Sequence, residues 1–196
     1  MRLLVLSVLG LLLQGSIAAQ DTLQGAPSAP QAAQQGDIDV SALGEAGQSA
    51  SASGTVRVHA GREVVWALIT SCPEAMGMFP GLTTCNVLET APDQSWQRIR
   101  HVMEYSWLFP SLTYEIRASY RKPVHVDIER ISGDLRVLRG SWDLQSDGDY
   151  TVAHYQVDLT PGFWVPRWVV HAALKRDLPK MLRSLRARAE AVQLKR

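Results

Sequence analysis

PGFWVPRWVVHAALKRDLPKMLRSLRARAEAVQLKR, residues 161–196, turns at Pro161-Gly162 from a run of short strand-like segments into one long amphipathic helix. Val170, Leu174, Leu178, Met181, Leu185, Ala189 and Val192 recur at three- and four-residue steps, so a single apolar stripe runs the length of the helix. Lys175, Arg176, Lys180, Arg183, Arg186 and Arg188 fill the remaining positions, and Arg183, Arg186 and Arg188 are expected to turn mainly outward. An apolar stripe of this length must be buried against something, and the strands before it are the available partner. One long helix across a curved antiparallel sheet makes an α+β fold and leaves space between the layers where an apolar ligand can sit. Pro179 removes one hydrogen bond inside the helix and predicts a bend near Leu178.

Upstream, the chain divides into three parts. Met1-Arg2, the apolar run 3–13 and the small residues Ser16-Ile17-Ala18-Ala19 read as a secretory signal peptide over 1–19. The run is about half the roughly 20 residues a membrane span needs, so a retained anchor is the weaker alternative. Residues 20–53 are dominated by Gln, Ala, Ser, Gly and Pro, with no aromatic residue and no Lys or Arg; they read as a disordered linker. Residues 54–196 hold all six tryptophans and suffice for one domain with one core. Export places the protein outside the cell or in the periplasm. In an oxidising compartment the two cysteines, Cys72 and Cys85, are expected to pair, the alternative being two buried thiols.

Within the domain, residues 55–59 alternate like a short strand, while 62–70 and 73–79 have the spacing of two short helices. Strands are predicted at 83–90, 95–106, 112–120, 124–131, 135–145 and 150–159, most of them separated by turn signals such as Ser132-Gly133-Asp134 and Asp147-Gly148-Asp149. The count is about seven, in an antiparallel meander. Alternation assigns Ile99, His101, Met103 and Tyr105 to one face, together with Leu112, Tyr114, Ile116, Ala118 and Tyr120. Leu138, Gly140, Trp142 and Leu144, and Thr151, Ala153, Tyr155, Val157 and Leu159, complete the wall toward the helix. His125 and Asp127 fall on the opposite, polar parity with Glu129.

The order strand, two short helices, six strands and a long C-terminal helix, with the patterns VHAGREVVWALIT, FPGLTTCNVLE, LRGSWDL and KRDLPKMLRSLRARAE, resembles the START-like (SRPBCC) superfamily, which includes polyketide cyclase/dehydrase-like and coenzyme-Q-binding proteins. The resemblance spans about 54–192 and implies a helix-grip fold, in which the sheet wraps the long helix around an apolar cavity for lipids, sterols, quinones or polyketides.

The ligand-binding set expected from parity is His101, Met103, Tyr105, Tyr114, Ile116, Tyr120, Trp142 and Tyr155 from the strands with Val170, Leu174, Leu178 and Met181 from the helix. A neutral imidazole at His101 can donate to a ketone or quinone oxygen, and the phenols offer donors beside flat apolar surface; each is also an ordinary core residue. Trp142 is expected chiefly to pack sheet onto helix. Two aromatic loops, 105–110 and 163–168, can form an apolar rim that admits a ligand or touches a membrane. Eight Lys or Arg against Asp177 and Glu190 from residue 175 onward would suit an anionic bilayer surface, or simply a solvated helix face.

A net charge of +1 and the export signal argue against nucleic acid. No nucleophile elbow, HExxH, P-loop or GxGxxG is present, and the five histidines are scattered singly, so neither metal nor cofactor is expected. The leading expectation is a monomeric binding or transport protein for a hydrophobic small molecule. A polyketide cyclase/dehydrase-like enzyme using His101 and Tyr114 is the first alternative, since such chemistry needs little beyond a shaped pocket and proton donors. An accessory domain whose pocket is filled by its own side chains is the second.

Overall fold

The computed structural model describes residues 39–46, 49–105 and 110–195, with side-chain detail from Ser49 onward. The expected signal peptide and the centre of the first aromatic loop, 106–109, lie outside the described residues. Eleven elements follow in order: β1 Asp39–Ala46, β2 Ser49–Val58, α1 Arg62–Ile69, α2 Cys72–Met78, β3 Leu82–Thr90, β4 Trp96–Met103, β5 Leu112–Arg121, β6 His125–Gly133, β7 Leu135–Asp147, β8 Tyr150–Pro161 and α3 Arg167–Gln193. The strands form one antiparallel sheet in the order β1-β2-β8-β7-β6-β5-β4-β3. β3 to β8 run as a meander, and β2, first of the seven expected strands, closes against β8. No described helix is long and apolar enough to cross a membrane.

The linker boundary at residue 53 is corrected by the structure. β2 begins at Ser49, and β1, an eighth strand, pairs with it along Asp39↔Thr55 to Leu43↔Ser51. Ser49-Ala-Ser-Ala-Ser-Gly54 looks like linker by composition, yet it alternates with period two: Ala50 and Ala52 are buried at 1% and 3%, as fully as Val56 and Val58. Small residues are required here because α3 lies against β2. Ala50 packs beneath Val165 and Val170 at the entry to the helix.

α3 divides into two halves with different tasks. Its C-terminal half carries Leu182, Leu185 and Ala189, all fully buried in the main core with Val56, Val58, Val65, Trp66, Trp142 and Leu144. Its end is pinned by Glu190 and Gln193, whose side-chain oxygens accept from the backbone N–H of His59 and Gly61. The expected stripe is buried from Val170 to Ala189 apart from half-buried Leu174, and opens to solvent at Val192. Among the arginines, Arg183 is exposed, but Arg188 reaches across to Glu74 of α2 at 2.7 Å and Arg186 pairs with Glu190 at 3.1 Å. The helix continues through Pro179. Cys72 of α2 and Cys85 of β3 are joined by a disulfide, with a Cα–Cα distance of 5.3 Å.

Turn chemistry sets the sheet's ends. At Gly133 the backbone takes φ +104°, and a side chain there would press on the Thr113 carbonyl; Asp134 beside it accepts from the Thr113 N–H at 2.7 Å. This contact ties the β6–β7 turn to the start of β5, at the end of the sheet where the core gives way to open space.

Candidate functional site

Over the N-terminal half of α3 the helix stands away from the sheet, leaving a cavity of about 460 Å³. Its floor is Leu112 and Tyr114 of β5, Leu135 and Leu138 of β7 and Tyr155, Val157 and Leu159 of β8. Its roof is α3 from Trp168 to Met181, and Phe79, Pro80, Pro110, Phe163 and Val165 stand around it. The volume lies within the range of about 300–1,000 Å³ typical of small-molecule sites.

Eight of the twelve residues expected at a ligand site line this space: Met103, Tyr105, Tyr114, Tyr155, Val170, Leu174, Leu178 and Met181. The other four do not, and each is occupied elsewhere. Trp142 lies behind Tyr155, ring centroids 4.6 Å apart, and is 2% exposed. Ile116 belongs to the main core. Tyr120 meets Trp66 edge to face at 5.8 Å and donates its hydroxyl to Gln97 Oε1 at 2.9 Å. His101 pairs across the sheet with Cys85 and Tyr114 and sits edge-on to the Tyr114 ring at 5.4 Å, outside the lining. Burial lowers its pKa to about 4, so the imidazole is neutral.

Polar groups in the cavity are few. Tyr114 donates to Met103 Sδ at 3.2 Å, and Tyr105 makes a longer contact to the same sulfur at 3.9 Å. Burial raises the pKa of all three lining phenols: Tyr105 is pushed up to about 12, by burial and then by Asp177, against the opposing charge of Arg176, while Tyr114 and Tyr155 are shifted further. They are therefore hydrogen-bond donors at any physiological pH. The charged residues of the lining among those described are Arg176 and Asp177, held together by a two-pronged contact, Nε to Oδ1 at 2.7 Å and Nη2 to Oδ2 at 2.9 Å. Asp177 is only 9% exposed.

Asp177 and Arg176 were not among the expected site residues. The signal for Asp177 was present in its spacing, because it lies seven residues after Val170 and three after Leu174, on the apolar stripe itself. On the convex face, His125 is not simply solvated: it is clamped between Asp143, at 2.6 Å from Nδ1, and Asp127, at 3.0 Å from Nε2. Desolvation opposes its charged form, but the two carboxylates outweigh it and raise its pKa. Among the described residues, no group of three His, Cys, Asp or Glu is arranged to hold a metal ion.

A curved antiparallel sheet gripping one long helix over an apolar cavity defines a helix-grip domain of the START-like class. The chain belongs to the family described as polyketide cyclase / dehydrase and lipid transport, whose model matches residues 58–186. Among solved structures it is similar to an aromatase/cyclase from a Streptomyces species, at 18% identity over 72% of this chain and 94% of that one, TM-score 0.62. It is similar also to a STAR-related lipid transfer protein from Xanthomonas axonopodis, at 18% identity over 76% and 97%, TM-score 0.60. A human lipid transfer and protein localization domain aligns at 12% identity over 80% and 86%, TM-score 0.63. Against curated proteins, no sequence match is found.

Proposed function

We propose that this protein binds and carries a hydrophobic small molecule in the cavity between α3 and the sheet. The observation that carries the reading is the cavity itself: about 460 Å³ of space walled mainly by aliphatic and aromatic side chains, in a fold where the C-terminal half of α3 is tightly packed. Closely packed interiors leave few voids larger than a water molecule, so an apolar space of this size speaks for a ligand and against an accessory domain filled by its own side chains. Two structural neighbours, a lipid transfer protein and a lipid transfer domain, support the same reading.

The cyclase alternative draws support from the Streptomyces neighbour and from the three phenols facing the cavity. Its weakness is the acid/base pair: His101 stands outside the lining, burial makes it a weak base, and the Tyr114 hydroxyl donates to Met103 instead. Native mass spectrometry and solvent extraction of protein exported by its own host test the carrier reading. A reproducible bound apolar molecule recovered unchanged is the expected result; a protein that is reproducibly empty refutes it.

Two further features belong to this reading. Trp164 and Trp168 flank the start of α3 at 78% and 73% exposure, and Trp168 also lines the cavity. Large aromatics exposed beside an apolar opening, on a helix that presents Arg167 and Lys175, suit contact with an anionic bilayer during loading. The disulfide between Cys72 and Cys85 supports residence in an oxidising compartment, outside the cell or in the periplasm.

A further inference from the structure

We infer that the cavity selects neutral, oxygen-bearing ligands, such as ketones, quinones or alcohols, over anionic ones, and that Asp177 sets this selectivity by occupying Arg176. The inference rests on the carrier reading and names the chemistry of its cargo.

Consider what a ligand meets. An apolar body is accepted anywhere along the floor. A polar group meets Tyr105, Tyr114 and Tyr155, which can donate one hydrogen bond each. Tyr114 donates its proton to the Met103 thioether and Tyr105 makes only a long contact to the same sulfur, a weak acceptor compared with a carbonyl oxygen. Tyr155 makes no side-chain hydrogen bond among the described residues and faces the cavity from β8. Buried hydroxyls are ordinarily matched with good acceptors, so these phenols point to an oxygen supplied by the ligand.

Consider next an anion. The cation of the lining is Arg176, whose Nε and Nη2 both donate to Asp177, so its charge is already paired with a neighbouring carboxylate. Arg176 cannot turn to a ligand carboxylate or phosphate without stranding the Asp177 carboxylate, which is 9% exposed, and an unpaired buried charge is strongly disfavoured. The lining therefore carries no net charge among the described residues, and an anion entering it would lose its hydration for a cation whose charge Asp177 already balances. A neutral acceptor loses little and gains a phenol.

The test uses three fluorescent probes on one ring system: 1-acetylpyrene, 1-pyrenecarboxylate and 1-methylpyrene, titrated into the full chain at pH 7.5. Acetylpyrene is expected to bind tightest and pyrenecarboxylate weakest. Tyr155→Phe should lower the ratio of acetylpyrene to methylpyrene affinity by about three- to tenfold, the effect of one neutral hydrogen bond. Asp177→Asn, which keeps shape but frees Arg176, should raise the ratio of carboxylate to ketone affinity by about tenfold or more. Tighter binding of the carboxylate than of the ketone by the unaltered protein overturns the inference while leaving the carrier reading in place. So do ratios that stay constant in Tyr155→Phe, the variant least disturbing to the fold. Failure of all three probes to bind overturns both.

Discussion

His101 was expected to reach the ligand, and its placement predicts a different experimental signature: a loss of stability in mild acid. Its imidazole is half-buried between β3 and β5, it has no charged partner among the described residues, and burial takes its pKa from 6.5 to about 4. A base whose folded pKa is depressed binds its proton more readily unfolded, so stability rises with pH across the window between the two values. Above pH 6.5 the group is neutral in both states and contributes nothing. Between pH 6.5 and 4 the unfolded chain takes up a proton that the native one refuses. From the two pKa values, lowering the pH from 7 to 4.5 costs about 2 kcal/mol through this residue alone. In urea, with a slope of roughly 1–3 kcal/mol per molar, that is a midpoint shift of about 1 M. Carboxylates also respond to acid, and His125 responds with the opposite sign. Its folded pKa is raised, so its stabilising contribution is complete below its unfolded value and disappears as the pH rises through the folded one. Comparison with His101→Gln cancels both. The midpoints of protein and variant should diverge in the acid direction, the variant losing less. Parallel midpoints between pH 7 and 4.5 would refute the reasoning and return His101 to a solvated or ligand-facing position.

Two other outcomes are expected. Leu185 is fully buried in the core half of α3, so Leu185→Ala should cost about 3 kcal/mol or more, whereas Leu174→Ala, at the cavity, removes atoms that face open space and should cost less than about half as much; equal losses in chemical denaturation would contradict the division of α3 into core and roof. Replacing Trp164 and Trp168 together by Ser should weaken sedimentation with vesicles containing anionic lipid several-fold and leave the unfolding midpoint within about 0.5 kcal/mol of the original; unchanged vesicle binding removes the bilayer from the loading step.

The order of elements was legible because each rests on a local signal. β5 alternates residue by residue, α3 repeats its apolar residues at helical spacing, and the turn at Gly133 carries the one residue that tolerates its backbone angle. The start of β2 was missed for an equally physical reason. Disorder is inferred from composition, because small polar residues bury too little surface to offset ordering entropy. Ala50 and Ala52 do bury little each, but α3 supplies the surface they pack under, and that partner lies more than a hundred residues away. The alternation of Ser and Ala was the visible sign, and composition outweighed it.

The site was legible only as a face, and a face is not a cavity. Parity places His101, Ile116, Tyr120 and Trp142 toward the helix side of the sheet, as it does Tyr114 and Tyr155, and nothing along a strand says where the helix stands off. That is decided by what fills the layer between. α1, α2 and the C-terminal half of α3 bring Trp66, Val65, Leu182 and Leu185 down onto Trp142, Ile116 and Val126, so this part of the wall is solid. Toward the other end the roof includes the small residues Ala172 and Ala173, and the space above Leu138 and Val157 remains. The same reasoning accounts for Asp177. On a stripe packed against solid core a carboxylate would be excluded; at the edge of an open cavity, with Arg176 beside it in sequence, it is tolerated. A buried charge on an apolar stripe therefore carried information about the cavity, since it could only be accommodated where the core ends.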